Sequence, residues 1–185
     1  MYIIEAIKGL LTVLLNKHLH VERAFRIKAA SKITAETGSI TIGKQFFMQT
    51  NVHISAVCGG NLIIKTNVNF NRNCIVVCRG SITIGNYVRI GPNVCVYDHD
   101  HYYDTEGSYS EYKTGSITIG DHCWIGAGAI ILKDTIIGEG CVIGAGTIVK
   151  GTIPPHSLVT NDRKLIIKPI DDRSKAEYLK ERSVE

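Results

Sequence analysis

The chain has 185 residues, a formal net charge of +4 and 44% hydrophobic residues, a length that suits one domain. Its aliphatic content is 27 Ile and 14 Val against 10 Leu; β-branched side chains lose rotamer freedom in helices and suit pleated strands, which excludes a helical bundle for the body of the protein. Aromatics at 7% argue against an ordinary sandwich core, no run reaches the ~18 apolar residues of a membrane span, and a weak positive balance spread along the chain makes no case for nucleic acid.

The first predicted element is an amphipathic helix over 2–18. Ile3, Ile4, Ile7, Leu10, Leu11, Leu14 and Leu15 follow helical spacing. Residues 1–37 are read as a helical cap and lead-in, with Lys17, Arg23, Arg26 and Lys28 as a solvated helix face. Capping of the open end of the following unit is expected, and contact with a membrane surface is the alternative. Glu5 and Lys8 interrupt the apolar run, and there is no basic leader region or small-residue cleavage site, so no signal peptide is expected. The six cysteines form no CxxC pair. Reduced thiols and a cytoplasmic location follow as expectations.

From residue 38 the chain repeats. The word Gly-Ser-Ile-Thr-Ile-Gly recurs unchanged at 38–43, 80–85 and 115–120, which signals repeat architecture. The finer period is six. Aliphatic or similar residues fall at 42, 48, 54, then 64, 70, 76, then 84, 90, 96, then 119, 125, 131, then 137, 143, 149. A second apolar or small residue precedes each by two positions, and Gly often follows. These hexads group into triplets, and insertions fall only between triplets. A three-sided coil is predicted, with a short strand on each side and two inward side chains per strand. Five coils would make a prism roughly 24 Å tall at ~4.8 Å per rung. Gly after the aliphatic position is read as freeing the corner backbone.

The largest insertion, 97–114, holds His99, His101 and five of the eight Tyr. Function concentrates on loops held by rigid scaffolds, and polar groups among aromatic rings suit a sugar or small-molecule site. The tail begins with Asp171 as a helix cap, and a short helix to Arg182 is predicted within a C-terminal extension over 156–185.

Residues 38–155 resemble the hexapeptide-repeat acyltransferase family, in particular its maltose, galactoside and polysaccharide O-acetyltransferases. The resemblance implies a left-handed parallel β-helix; crossover sterics alone would favour the right-handed form. It also implies a homotrimer with sites at subunit interfaces, and acetyl-CoA as co-substrate. The Asp-His pair at 98–99 resembles the family's general base position, where a His deprotonates an acceptor hydroxyl or amine that attacks the thioester. His99 is the first choice and His101 the second. Asp98, Asp100, Glu106 and Glu111 are all candidates to orient the imidazole.

Asp121 to Ala129 resembles the family segment that opens the last rungs. There the resemblance puts Trp124 beside the pantetheine arm and the small corner residues Gly126, Ala127, Gly144 and Ala145 against its amides. Subunit packing for Trp124, and turn requirements for the corners, are the structural alternatives. Residues 151–157 resemble the family's exit, with His156 as a turn cap. The Gly-x-Pro-Ala-Lys segment of many relatives is absent, which leaves Lys150, Arg163 and Lys164 as phosphate partners. For the acceptor, Asn69 matches a sugar-contacting Asn; Asn71 and Tyr97 join it, while Asn67 stands where those relatives carry Tyr. An Asn ladder stabilising the corners is the alternative. A zinc site from His99, His101 and His122 does not match the spacing that a related hydratase branch needs, so no metal is expected. Cys74, Cys123 and Cys141 are read as small inward residues. The expected reaction is transfer of acetyl from acetyl-CoA to a hydroxyl of a sugar or polysaccharide precursor. An amino-sugar nucleotide or serine as acceptor, or a non-catalytic trimeric scaffold, are the alternatives.

Overall fold

The computed structural model describes residues 17–22, 24–105 and 107–161. The helix expected over 2–18, except its last two positions, and the helix expected over 171–182 lie outside them. So do Arg23, Glu106, Arg163 and Lys164.

The described chain is a parallel β-solenoid of about six turns. Each turn lays one short strand on each of three faces. The first face stacks Leu19–Val21, Ser39–Ile42, Asn61–Ile64, Ser81–Ile84 and Ser116–Ile119 in register, then the later parts of Ile130–Ile137 and Ile148–Ile153. The second face stacks Arg26–Ile27, Phe47–Met48, Asn69–Phe70, Arg89–Ile90, Trp124–Ile125, Val142–Ile143 and Leu158–Val159. The third stacks Lys32–Ala35, His53–Ala56, Ile75–Cys78 and Cys95–Tyr97, then the starts of Ile130–Ile137 and Ile148–Ile153. Burial alternates along the strands as the hexad register predicts: Ile40 and Ile42, Phe46 and Met48, Val52 and Ile54 all point inward. Full burial of each such side chain is worth about 1.5–3 kcal/mol. Cys74, Cys123 and Cys141 are buried in the same stack, as read from sequence.

Two readings change. The solenoid starts one turn earlier than the five triplets place it, because Leu19–Val21, Arg26–Ile27 and Lys32–Ala35 pair with the next rung. That turn keeps the six-residue spacing at 21, 27 and 33 but carries Glu22 and Lys28 where several later turns place Gly, which hid it. Arg26 therefore lies on a strand, not on a helix face, and both Arg26 and Lys28 stand 5.7 Å from the Phe47 ring centroid.

The second change concerns the glycines. Left-handed φ falls not on the Gly after the aliphatic position but three residues after that position, at Gln45, Asn51, Asn67, Asn73, Tyr87, Asn93 and His122, and at Gly128, Gly140 and Gly146. The Gly directly after the aliphatic residue is needed for closeness between rungs. A Cβ on Gly126 would meet the Ile143 carbonyl oxygen at 2.6 Å, and one on Gly85 would meet the Asp121 amide nitrogen at 2.7 Å. No real side chain tolerates such contacts without moving the rung.

Candidate active site

Segment 97–114 is built as an antiparallel hairpin, His99–Asp104 with Gly107–Thr114, leaving the corner between the third and first faces. Its root is fixed by Asp98. On the third face, Ala35, Ala56 and Cys78 stack in register in the inward position, and Asp98 follows Cys78 with its side chain fully buried. A carboxylate there needs partners. The main-chain amide of Arg79 donates to both of its oxygens at 2.9 and 3.1 Å, and that of Gly80 donates at 2.8 Å. Burial first, and then Asp98 beside it, push the Cys78 thiol up to about 12.

His99 emerges next. Its Nδ1 lies 3.1 Å from Asp98 Oδ1, the geometry of a carboxylate fixing an imidazole tautomer. Of the four carboxylates weighed from sequence, Asp98 holds this place; Asp100 instead lies 3.7 Å from Lys133 Nζ. The His99 ring is edge-on to Tyr97 at 6.0 Å and to Tyr112 at 5.2 Å. His101 packs against the same Tyr112 ring at 4.4 Å. Two residues escaped the sequence reading: Arg79 lays its guanidinium 3.6 Å from the Tyr112 ring centroid, so the body grips the hairpin. Arg79 and Tyr112 lie far apart in the chain, and no local pattern pairs them.

The remaining candidates lie on the second face and its corner. Trp124 is 58% exposed and points outward, in register with Arg89 and Val142. Gly126 and Ala127 form the corner beyond it, with Gly144 and Ala145 one rung on; both alanines are exposed, as is Lys150. Asn69 and Asn71 line a shallow groove of about 200 Å³ with Phe47, Gln49, Arg89 and Trp124. The asparagine ladder exists, but on other residues: Asn51 donates to Asn73 at 3.0 Å, and Asn73 to Asn93 at 3.1 Å. Within one chain, the structure thus brings His99, Asp98, His101 and Tyr97 together on one corner, and Asn69, Asn71 and Trp124 together on another face. His122 stacks on Tyr87 at 4.8 Å, and His156 takes φ 56° at the exit turn. Among the described residues no three His, Cys, Asp or Glu side chains are grouped to hold a metal ion, and no helix is long and apolar enough to cross a membrane.

Comparison with known proteins adds the following. Residues 116–151 match the family model for the bacterial transferase hexapeptide (six repeats). The galactoside O-acetyltransferase of Escherichia coli is 35% identical over 78% of this chain and 71% of its own. Nodulation protein L of Rhizobium leguminosarum is 41% identical, and that match spans 40% of either chain. An N-acyltransferase from Bacillus cereus, crystallised with dTDP-4-amino-4,6-dideoxyglucose and coenzyme A, shares the fold at TM-score 0.67 and 18% identity, over 94% of this chain and 96% of that one.

Proposed function

The chain belongs to the bacterial transferase hexapeptide family, and on that premise we propose that it is an acetyl-CoA-dependent O-acetyltransferase acting on a hydroxyl of a sugar or polysaccharide precursor. The observation that carries the reading is the His99 imidazole held on the buried Asp98 carboxylate at the root of the hairpin. The relation to a galactoside O-acetyltransferase supports a saccharide acceptor.

In this reading His99 takes the proton from the acceptor hydroxyl. The oxygen attacks the thioester carbonyl carbon, the C–S bond breaks, and the imidazolium returns the proton to the departing thiolate. The thioester is already activated, so no enzyme nucleophile is required. Backbone N–H groups steady the oxyanion. Trp124, Gly126, Ala127, Gly144 and Ala145 hold the pantetheine arm, and Lys150, Arg163 and Lys164 its phosphates. Asn69, Asn71 and Tyr97 contact the acceptor. Asn69 and His99 lie in different sheets of one chain, which supports a homotrimer whose sites form between subunits. Left-handed winding and a cytoplasmic location are part of the same proposal.

The test is CoA release from acetyl-CoA across sugars, sugar nucleotides, an amino-sugar nucleotide and serine. Transfer to a sugar hydroxyl that fails in His99→Ala is the expected result. Wild-type transfer to an amine alone would move the reading to N-acetylation. Absence of acetyl-CoA binding by calorimetry at millimolar ligand would favour the scaffold.

A further inference from the structure

The outward side of the second face carries a column with its own chemistry. Arg26, Phe47, Asn69, Arg89 and Trp124 stack in register on successive rungs. Cations, rings and an amide thus recur at the ~4.8 Å rung spacing. The centre of the column is Arg89. Its Nη1 donates to the Asn67 carbonyl at 2.6 Å and to that of Val88 at 3.3 Å, and its Nη2 donates to Asn67 Oδ1 at 3.1 Å. With the Asn69 amide turned so that its oxygen faces the guanidinium, Nε and Nη1 lie 3.2 and 3.0 Å from it.

These contacts fix the fork but do not cancel its charge. Every acceptor is a neutral amide, and no carboxylate among the described residues pairs with Arg89. The second Nη2 hydrogen has no acceptor among them either. A guanidinium pre-ordered in this way loses little entropy on meeting an anion. The same groove contains a second unmet polar group: Gln49 Oε1 is buried without a hydrogen-bond partner among the described residues. It is an acceptor and therefore calls for a donor such as a hydroxyl. Phe47 and Trp124 border the groove with ring surface on which the C–H face of a sugar can pack.

We infer that this groove binds a saccharide bearing an anionic group, with Arg89 as the residue that selects the charge. The inference rests on the acetyltransferase reading and narrows its acceptor class. Hydroxyls of the sugar meet Gln49 and Asn71, and the anion meets the free edge of Arg89. The anion has two sources, a uronate carboxylate on the sugar or the diphosphate of a nucleotide-activated sugar. Both present oxygens to a guanidinium in the same manner.

The test uses the full chain with methyl glucuronide, UDP-glucose and neutral methyl glucoside. Binding is followed by calorimetry, and turnover by CoA release. Either anionic probe, or both, should exceed the neutral glucoside in affinity, and which of them does so identifies the source. Arg89→Leu should reduce that preference at least about tenfold, the size of one charge-assisted hydrogen bond. Arg89→Lys should recover part of it, since charge remains while the fork is lost. Equal binding of all three probes would overturn the proposal. So would a preference unchanged in Arg89→Leu, or a loss seen only in the KM for acetyl-CoA. Anion-selective binding without transfer to any probe supports the groove and counts against the acetyltransferase reading, so the two fail separately.

Discussion

Asp98 sits in a position that earlier turns fill with Ala35, Ala56 and Cys78, and its four hydrogen bonds with two main-chain nitrogens and one imidazole nitrogen replace the water it has lost. In the proposed reaction, His99→Ala should lower kcat by about 10²–10⁴, the range for a general base, with the KM for acetyl-CoA little changed. Asp98→Ala removes the imidazole's anchor and leaves the Arg79 and Gly80 amides without their acceptor, which costs about 1–3 kcal/mol per unmet group. Both kcat and melting temperature should fall, whereas His99→Ala should move kcat alone. The Arg79–Tyr112 stack is expected to act through position. Tyr112→Phe keeps the ring and should stay near wild type; Tyr112→Ala and Arg79→Ala should each lower kcat, and the double variant should be no worse than the singles. Additive losses in that cycle would show that the two residues act independently. The thiols give a separate check. Burial pushes Cys74 up to about 11 and Cys78 up to about 12, while Cys58 is exposed. Iodoacetamide at pH 8 followed by mass spectrometry should therefore label Cys58 and spare Cys74 and Cys78 in the folded protein.

At the scale of the elements, the corners hold the rungs at a fixed spacing. Gly126→Ala would push a methyl group into the Ile143 carbonyl and should destabilise by about 1–3 kcal/mol as an overpacking change, read from a denaturation midpoint. Another corner is held by polar groups. Asn86 Oδ1 accepts from the Thr66 amide, while its own amide and side-chain nitrogens donate to the Asp121 carboxylate at 2.8 and 2.9 Å. Those bonds from Asn86, side chain first, lower the Asp121 carboxyl below its ordinary value. A group lowered on folding stabilises fully above its unfolded pKa and loses that contribution as pH falls through the folded one. Asn86→Ala should therefore cost more stability at pH 7 than at pH 3; an equal cost at both would remove the charge from the explanation. The inward register of these strands is readable from sequence because burial copies a six-residue period that does not slip within a turn. The role of the corner glycines was misread because closeness to the next rung is a contact across the repeat, invisible to a local pattern. The hairpin segment is legible as a break in rhythm, and the proposed base, His99, as the histidine at its root. The grip of Arg79 on Tyr112 joins distant residues of different chemistry, and composition carries no trace of it.

For the molecule as a whole, a solenoid with three flat faces places its chemistry on separate surfaces. His99 and Asp98 stand at the corner between the third and first faces, and Asn69, Arg89 and Trp124 on the second. A rigid stack of rungs cannot fold one face onto another, so a reaction that needs both must bring the second face of one copy to the hairpin corner of the next. Of the eight large exposed hydrophobic side chains among the described residues, four, Trp124, Ile136, Ile148 and Leu158, lie in the last rungs, and Tyr102 and Tyr103 lie on the hairpin, where such a junction would cover them. In the proposed homotrimer, three copies related by a threefold axis would repeat one heterologous contact and close the ring. This arrangement has a consequence that a single-chain site lacks. His99→Ala and Asn69→Ala chains, each expected to be weak alone, should complement when co-expressed, because some junctions then combine an intact His99 from one copy with an intact Asn69 from its neighbour. With random mixing of equal amounts, about one junction in four is intact in a closed heterologous ring, and activity per chain should rise toward that fraction of wild type. The measurement is CoA release by the co-purified mixed assembly, with light scattering giving the number of copies. Activity that stays at the level of the two single variants, in an assembly shown to contain both chains, would place His99 and Asn69 in different functions and end the case for a shared site.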